Sequence, residues 1–455
     1  MSDTADEVEI IEHADVPMSD GCRLSARIWL PRGARDAPVP AILEYIPYRK
    51  RDLKRERDAV IHCYFAQHGY AAVRIDLRGS GDSEGILRDE YLQQELDDGV
   101  EALRWIASQP WCDGNIGMIG ISWGGFNGLQ IAAMQPPELK AVVSVCSSDD
   151  RYADDVHYMG GCLLTDNLSW ASNMFAYNSC PPDPALVGER WREMWLERLE
   201  GSGLWLDKWL QHQRRDDYWK HASVCEDYSA VKTPVFVVSG WADGYTNTVF
   251  RLLEHLDVPR RGLIGAWGHN YPHDAQPGPA IDFLGECIRW WDRWLKGKKN
   301  GVDDEPMLTM WMQHAFAPTS SERPGRWIAE GRWPSPRVEE RAYVINPRGV
   351  LAPADSAEPI EREDWLRSPL SVGLFAGKWC SYSAQTDLPS DQREEDGGAL
   401  VFDTAPLDEA LELCGMPWVD LDVVSDKPVA MVAARISDVA PDGKATRVTF
   451  GLLHL

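Results

Sequence analysis

The chain alternates short apolar runs with helix-like segments, and this alternation constrains its fold more than any other feature. Between residues 90 and 111, Leu96, Val100 and Leu103 recur at helical spacing. Strands that are separated by helices join a parallel sheet with helices on both faces. We therefore predict an α/β domain whose first strands are the apolar runs at about residues 21–30, 39–46, 70–79, 115–122 and 139–148.

The alternation breaks between residues 149 and 229, where the sequence is rich in tryptophan, charged residues and helix formers. Trp191 and Trp195 lie four residues apart, as do Trp205 and Trp209, which places each pair on one face of a helix. This segment is predicted to be a helical insertion. Two roles are considered for its tryptophans: they pack the insertion against the main domain, or they line a substrate pocket.

The composition shifts again after Gly297, where short strand-like runs at 341–345, 399–403, 418–425 and 429–439 are separated by Pro and Asp. Only residues 407–414 have a helical pattern. This pattern is typical of a β-sandwich. The predicted organisation is an α/β domain in two parts (1–148 and 230–300), the helical insertion (149–229) and a C-terminal β-sandwich (301–455).

Residues 119–128, IGISWGGFNG, place Ser122 between glycines, after a strand-like run and before a helix-like segment. In this context G-x-S-x-G is the nucleophile elbow, a strained turn that exposes the serine oxygen above the sheet. A side chain at Gly120 or Gly124 would collide with the neighbouring strand or helix. The N-terminus of the helix also favours negative charge. We predict that Ser122 is a nucleophile; the alternative is a purely structural turn.

A serine nucleophile needs a histidine base, and the base needs a carboxylate that orients it. In this fold class the carboxylate and then the histidine follow the serine, each after a strand. Asp243 follows the apolar run VFVVSG, and His269 follows GLIGAW. Both positions lie at the carboxyl ends of predicted parallel strands, where open sheets build their sites. The predicted triad is Ser122, His269 and Asp243, with His273 as the alternative base.

Attack on a carbonyl creates an oxyanion, which needs hydrogen-bond donors worth roughly 3 kcal/mol each. The backbone amide of Trp123, the residue after the nucleophile, is the first predicted donor. Tyr48 follows the strand-like run PAILEYI and would offer its hydroxyl at the same edge of the sheet. The alternative for Tyr48 is a surface tyrosine packed against Pro47.

The sequence contains five motifs in this order: YIPYRK, DLRGSGDSEG, GISWGG, GWADG and GAWGHN. They resemble the cocaine esterase and X-Pro dipeptidyl-peptidase family of α/β-hydrolases, which includes α-amino acid ester hydrolases and glutaryl-cephalosporin acylases. The resemblance runs from about residue 17 to the last residues. It implies a triad of Ser122, Asp243 and His269, an oxyanion hole that uses the Tyr48 hydroxyl, a helical cap and a jelly-roll-like C-terminal domain.

Two features depart from the pattern of this family. Trp123 stands where tyrosine is usual, which leaves the mechanism intact because the oxyanion donor there is a backbone amide. The sequence ends at FGLLHL, where family jelly rolls continue for further strands, so we expect an incomplete or differently closed sandwich. An open sheet edge needs cover from a neighbour, which a homodimer would supply.

Charge and cysteine content exclude several classes of function. The formal net charge of −25 repels nucleic acids and anionic lipid surfaces. The sequence shows no apolar run of roughly 20 residues and begins with acidic residues rather than a signal peptide, so we expect a cytoplasmic location. The ten cysteines form no zinc-binding sequence pattern, and no metal or organic cofactor is expected. Asp82 and Glu84 in DLRGSGDSEG would repel phosphate, so this glycine-rich segment is predicted to be a structural turn.

The sequence thus predicts a serine hydrolase that cleaves a small-molecule carboxylic ester or amide through an acyl-enzyme. An X-Pro dipeptidyl-peptidase or α-amino acid ester hydrolase would need carboxylates to bind a free ammonium group. Acidic side chains are available for this, although most are expected on the solvated surface: Asp149, Asp150, Asp154, Asp155 and Asp166. A general esterase or acylase is therefore favoured. The non-enzyme alternative is a ligand-binding protein with an inactive hydrolase domain.

Overall fold

The structure is a computed structural model that describes residues 8–52, 54–346, 349–356, 363–382 and 386–455. Its strands are β1 (Val8–Pro17), β2 (Arg23–Pro31), β3 (Val39–Ile46), β4 (Ala71–Asp76), β5 (Cys112–Ile121), β6 (Leu139–Val145), β7 (Tyr158–Met159), β8 (Cys162–Leu163), β9 (Val235–Gly240), β10 (Arg260–Gly265), β11 (Leu308–Gln313), β12 (Gly325–Glu330), β13 (Tyr343–Asn346), β14 (Val350–Pro353), β15 (Met431–Val439) and β16 (Ala445–His454). Its α-helices are α1 (Arg55–Gln67), α2 (Gln93–Ala107), α3 (Trp123–Ala133), α4 (Asp166–Asn178), α5 (Pro184–Val187), α6 (Trp191–Gly201), α7 (Trp205–Gln211), α8 (Asp217–Lys220), α9 (Thr246–His255), α10 (Phe283–Trp294) and α11 (Arg393–Asp396).

Ten strands form one central sheet in the order β1-β2-β4-β3-β5-β6-β9-β10-β11-β12. The seven neighbouring strands from β4 to β11 run parallel to one another. Strands β1, β2 and β12 add antiparallel edges. The central strands are buried almost throughout, because helices cover both faces of a parallel sheet. The predicted α/β fold is confirmed, and the strand–helix order has the arrangement of an α/β-hydrolase.

The sheet is wider at both edges than the sequence analysis anticipated. Strand β1 was not predicted, because its residues 8–17 have mixed burial and lack a continuous apolar run. At the other edge, β11 and β12 lie in the segment assigned to the sandwich, yet β11 pairs with β10 in the main sheet. The buried side chains of Leu308 and Met310 anchor β11 there.

Five helices, α4 to α8, lie between β6 and β9 in the chain, within the segment where the sequence predicts a helical insertion. The rings of Trp191 and Trp195 stack in α6 with centroids 6.1 Å apart. The rings of Trp205 and Trp209 meet edge to face in α7, also at 6.1 Å. Both predicted pairs therefore share a helix face. Trp205 and Trp209 are buried in the main core.

The C-terminal region forms two hairpins, β13–β14 and β15–β16. The strands predicted at 341–345 and 429–439 thus exist, but the helix predicted over 407–414 is wrong. That segment has no helix, and Leu407 and Leu413 are exposed. A helix this short is marginal unless packing stabilises it. The runs at 399–403 and 418–425, which were predicted as strands, form no strands beyond a bridge between Val350 and Asp403.

The length and apolar character of the helices decide whether any of them could cross a membrane. Among the described residues, no helix combines the length and the apolar character that crossing a membrane requires.

Candidate active site

Ser122 lies in a tight turn between β5 and α3. Its φ of 58° and ψ of −125° fall in a region that side-chain-bearing residues rarely adopt. The backbone amide of Ser122 donates to the Val145 carbonyl at 2.9 Å, which fixes the turn. A Cβ at Gly120 would lie 2.4 Å from the Cα of Gly124. Strand and helix therefore approach as closely as the elbow motif predicts, and the strained backbone holds Ser122 above the sheet.

Asp243 and His269 meet at the carboxyl ends of β9 and β10. His269 Nδ1 is 2.9 Å from Asp243 Oδ1, and the Ser239 hydroxyl donates to Asp243 Oδ2 at 2.8 Å. Burial raises the pKa of Asp243, but the His269 ring and the Ser239 hydroxyl outweigh burial, so this pKa lies below its ordinary value. The carboxylate is thus ionised and oriented to accept the His269 proton.

Ser122 and His269 line the same small pocket. His273, the alternative base, does not line it. The His273 ring instead stacks against Tyr271 and Phe283, with centroids 5.8 and 6.3 Å away. The geometry therefore favours His269 as the partner of Ser122.

Tyr48 brings its hydroxyl to Ser122 from the loop after β3. Its ring is 7% exposed, and the Ser122 hydroxyl lies near enough to act on the pKa of Tyr48. Burial raises the pKa of Tyr48 well above its ordinary value, so the hydroxyl keeps its proton and can donate. The alternative of a surface tyrosine is wrong. Trp123 begins α3, which leaves its backbone amide without an intrahelical acceptor.

A buried carboxylate beneath the elbow was missed by sequence reasoning. Glu95 Oε1 accepts from the Trp123 indole at 2.6 Å, and Glu95 Oε2 accepts from the Tyr91 amide at 2.9 Å. Burial raises the pKa of Glu95 to about 8. The Trp123 ring also packs edge to face against Tyr48 at 6.4 Å. Glu95 therefore holds Trp123 in place. The backbone amide of Trp123 is one candidate oxyanion donor, and its ring packs against Tyr48, the other.

Aromatic side chains form the walls of the pocket: Tyr91, Trp170, Tyr245 and Tyr382. Trp170 lies on α4, whereas Tyr382 comes from the C-terminal region. Their rings meet edge to face at 5.5 Å, and the Tyr382 hydroxyl lies 2.5 Å from that of Ser169. Both roles proposed for the tryptophans are thus found, since Trp170 lines the pocket while others pack the core. Trp170 and Tyr382 carry no motif that could have identified them.

Four of the five acidic residues considered as ligands for an ammonium group are buried, which corrects the expectation that most of them lie on the solvated surface. Asp149, Asp154, Asp155 and Asp166 are each at most 4% exposed. Arg251 pairs with Asp149 at 2.6 Å and with Asp154 at 3.1 Å. The sequence did not indicate that these side chains are buried, because acidic residues are abundant in the composition. Their partner, Arg251, also lies far along the chain.

Two carboxylates, Glu90 and Asp155, line the pocket together with Ser122. Burial raises the pKa of Glu90, but His157 at 2.6 Å and Arg151 at 3.3 Å outweigh burial and set it to about 2. Burial raises the pKa of Asp155 to about 7. Glu90 is therefore already paired with cations, whereas Asp155 accepts only neutral donors, the Val156 amide and the Tyr245 hydroxyl.

The glycine-rich segment DLRGSGDSEG forms the structural turn that the sequence predicts. Asp82 pairs with the buried Lys50 at 2.8 Å, and Glu84 accepts from Arg23. A Cβ at Gly79 would lie 2.1 Å from the Leu87 amide nitrogen, and Gly79 has a φ of +77°. Glycine is therefore required at position 79, because the backbone of Leu87 packs directly against it.

Among the residues that the structure describes, two buried groups contain side chains that could hold a metal ion. In the first, Glu44, Asp58 and His62 adjoin Arg57, which donates to both carboxylates, and Arg74, which lies 3.2 Å from Asp58. These arginines already supply the countercharge. The second group is Cys146, Asp243 and His269, at the candidate triad itself.

Comparisons with known proteins agree with this geometry. The family described as X-Pro dipeptidyl-peptidase (S15 family) matches residues 20–271, and the X-Pro dipeptidyl-peptidase C-terminal non-catalytic domain matches residues 300–455. The cocaine esterase of Rhodococcus sp. (strain MB1 Bresler) is 25% identical over 486 residues, covering 97% of this chain and 82% of that protein.

Solved structures show the same fold. An α-amino acid ester hydrolase superposes with a TM-score of 0.66 at 19% identity, covering 100% of this chain and 83% of that one. A CocE/NonD family hydrolase from Staphylococcus aureus superposes with a TM-score of 0.61 at 22% identity, covering 76% of this chain and 60% of that one. The resemblance expected from the five motifs is confirmed. The protein is a serine hydrolase that belongs to the X-Pro dipeptidyl-peptidase (S15) family.

Proposed function

We propose that the enzyme cleaves a carboxylic ester or amide through an acyl-enzyme on Ser122, with His269 as the base and Asp243 as its orienting carboxylate. His269 takes the Ser122 proton as the hydroxyl oxygen attacks the substrate carbonyl. The Tyr48 hydroxyl and the Trp123 amide donate to the oxyanion. His269 then gives its proton to the departing alcohol or amine, and water releases the acyl group by the same steps in reverse.

One observation carries this proposal: the buried hydrogen bond from His269 Nδ1 to Asp243 at 2.9 Å. With Nδ1 holding the proton for Asp243, the neutral ring has its lone pair on Nε2. His269 lines the pocket together with Ser122, so this nitrogen is available to the nucleophile. A purely structural histidine would not share a pocket with a strained serine.

The test compares Ser122→Ala with Ser108→Ala, an exposed serine at the end of α2. Ser122→Ala should lose hydrolysis of p-nitrophenyl esters and labelling by a fluorophosphonate, while its thermal unfolding stays unchanged. Ser108→Ala should keep both activities. Undiminished turnover in Ser122→Ala would refute the assignment, and absence of labelling in the wild-type protein would favour the ligand-binding alternative.

A second candidate, an enzyme for substrates with a free α-amino group, is favoured by Asp155. This carboxylate lies in the pocket wall and its hydrogen-bond donors are neutral. The charge of His157 acts on it from nearby, but an ammonium group would be its first cationic hydrogen-bond donor. Between pH 5 and 7 the α-amino group stays protonated while Asp155 ionises. The ratio of kcat/KM for an amino-acyl ester over the matching acyl ester should therefore rise with pH.

Asp155→Asn should abolish that rise, since the amide does not titrate. If the ratio is independent of pH in the wild-type protein, a general esterase or acylase remains the proposal. Gly-Pro-p-nitroanilide in the same assay tests X-Pro dipeptidyl-peptidase activity directly.

Other features of the protein stay predictions. We propose that α4 to α8 act as a cap, since Trp170 of α4 lines the pocket, and that the C-terminal β region is jelly-roll-like, as the family resemblance implies. The domain limits, the cytoplasmic location and the homodimer likewise rest on the sequence arguments given above.

A further inference from the structure

Two cysteine thiols flank the carboxylate of Asp243. Cys146, which directly follows β6, places its Sγ within 4.8 Å of an Asp243 carboxylate oxygen. The Cys380 thiol reaches the same carboxylate from the C-terminal region, with Sγ 3.8 Å from Oδ1. Both cysteines are 1% exposed. The proposed hydrolytic mechanism uses neither thiol, so their position beside the triad needs another account.

Three of these side chains have a spacing from which a metal site can form, and Cys380 adjoins them at Asp243. Ligand atoms of Cys146, Asp243 and His269 all lie within 4.8 Å of one another. Zinc bonds of about 2.3 Å to sulfur and about 2.0 Å to nitrogen and oxygen place tetrahedral ligand atoms about 3.3–3.8 Å apart, the longest distance being that between two sulfurs. His269 Nδ1 and Asp243 Oδ1, now 2.9 Å apart, would separate by less than about 0.5 Å. Side-chain rotation of this size needs no backbone movement.

We propose that Cys146, Asp243 and His269, with Cys380 as the fourth ligand, bind a thiophilic divalent cation such as Zn²⁺, and that this binding inhibits the hydrolase. Thiolate, imidazole and carboxylate are the ligands that zinc takes in proteins. Sequence spacing does not reveal the site because its four residues come from distant segments. The inhibitory consequence rests on the proposed function, whereas the binding itself does not.

A cation can reach the site through the pocket. His269 and Cys380 line this pocket beside Ser122, while Cys146 lies behind Asp243. The neighbouring Ser239 hydroxyl, which donates to Asp243 Oδ2, would continue to orient the carboxylate as the second shell of a metal site does.

The chemistry of the imidazole explains how the cation inhibits. Coordination at Nδ1 requires the Nδ1 proton and the thiol protons of the bound cysteines to leave to solvent. The neutral His269 ring then carries its remaining proton on Nε2. That nitrogen has no lone pair to accept the Ser122 proton, so Ser122 stays a weak nucleophile. Inhibition therefore does not require the metal to touch Ser122 or to fill the acyl pocket.

The binding test uses Co²⁺ as a spectroscopic substitute for Zn²⁺ in the full-length Ser122→Ala protein, which keeps all four ligands. A thiolate-to-cobalt charge-transfer band that is displaced by one equivalent of Zn²⁺ is expected. Cys146→Ser and Cys380→Ser should each reduce this band and weaken zinc binding by about tenfold or more. Cys180→Ser, which removes an exposed thiol that is not one of the proposed ligands, should leave both unchanged.

The activity test measures the zinc concentration that halves esterase turnover, each variant being compared with its own zinc-free rate. Cys146→Ser and Cys380→Ser should need about tenfold more zinc, and fluorophosphonate labelling of Ser122 should slow in parallel with turnover. A wild-type protein without the thiolate band overturns the site, even if either serine variant fails to fold. A band that disappears only in Cys180→Ser also overturns it. A wild-type protein that binds cobalt but hydrolyses nothing contradicts the proposed function and leaves the site intact.

Discussion

At the scale of single residues, the first prediction concerns Tyr48. Its protonated hydroxyl faces Ser122, so it should donate to the oxyanion in the transition state and contribute little to binding the ground state. Tyr48→Phe should lower kcat by roughly 10²- to 10³-fold with KM nearly unchanged. Steady-state kinetics with a p-nitrophenyl ester measures both constants.

The matched control for Tyr48 is Tyr64→Phe, which removes a hydroxyl on α1 outside the pocket. Its kinetics should equal those of the wild-type protein. If Tyr48→Phe raised KM and spared kcat, the hydroxyl would be a substrate-binding group rather than an oxyanion donor.

Glu95 makes a prediction about stability. Because burial raises its folded-state pKa to about 8, the native protein keeps a proton there that the unfolded chain loses near pH 4.5. The native state binds more protons between these values, so this group makes the unfolding free energy fall as pH rises from about 4.5 to 8. Glu95→Gln removes the titration. Its unfolding free energy relative to wild type should rise across this range by about 1.4 kcal/mol or more.

Denaturant unfolding at several pH values measures this difference. Glu254→Gln, an exposed substitution on α9, should show no such trend. A constant difference between Glu95→Gln and wild type would mean that Glu95 is ionised throughout, held so by the Trp123 indole and the Tyr91 amide.

Residues with a local motif were the ones that the sequence could predict. Ser122 and His269 follow strands in recognisable turns, and the structure brings them to one pocket. Glu95 and Asp155 could not be assigned, because an acidic residue in a chain of 71 Asp and Glu is identified only by what buries it. Cys380 likewise depends on a contact with Asp243, 137 residues earlier in the chain.

At the scale of elements, α4 and the C-terminal region close the pocket together. Trp170 of α4 meets Tyr382 edge to face, and its indole donates to Glu90 at 3.2 Å. Trp170→Ala should open this wall and shift kcat/KM toward long acyl chains by about tenfold or more relative to acetyl. Turnover of a series of p-nitrophenyl esters measures the shift.

Trp191→Ala on α6 is the control, since its ring stacks on Trp195 and does not line the pocket. It should leave chain-length preference unchanged. Equal preference in Trp170→Ala and wild type would show that the acyl group binds elsewhere in the pocket.

Elements in the parallel sheet could be predicted because each is a continuous apolar run between helices. The edges could not, since β1 alternates weakly and β11 follows a change in composition. The C-terminal segment at 407–414 has helical spacing, but no described element covers its Leu407 and Leu413. Periodicity there indicated a helix that packing does not support.

At the scale of the whole molecule, exposed apolar surface and net charge have opposite effects on self-association. Trp365 is 85% exposed and Val424 is 97% exposed, and apolar surface of this kind favours association. A net charge of −25 keeps copies apart, and salt screens that repulsion. We predict that the protein self-associates more strongly as salt rises, as measured by sedimentation velocity.

The double variant Trp365→Ser, Val424→Ser should remain dissociated at the same salt concentration. Val60→Ser, on the exposed face of α1, should associate as the wild-type protein does. Association that weakens with salt would show that ion pairs, rather than the apolar surface, join the copies.

The contact of Cys380 with Asp243, and of the Trp379 ring with Gly244, has a consequence for synthesis. Ser122, Asp243 and His269 all emerge from the ribosome before the segment that covers the aspartate loop. Because domains fold from the N-terminus as they emerge, the nascent chain holds a complete set of reacting groups with one wall absent. The finished acid–base environment arises only after the segment around Cys380 has been translated and has packed on the aspartate loop, so the onset of hydrolysis follows the synthesis of that segment.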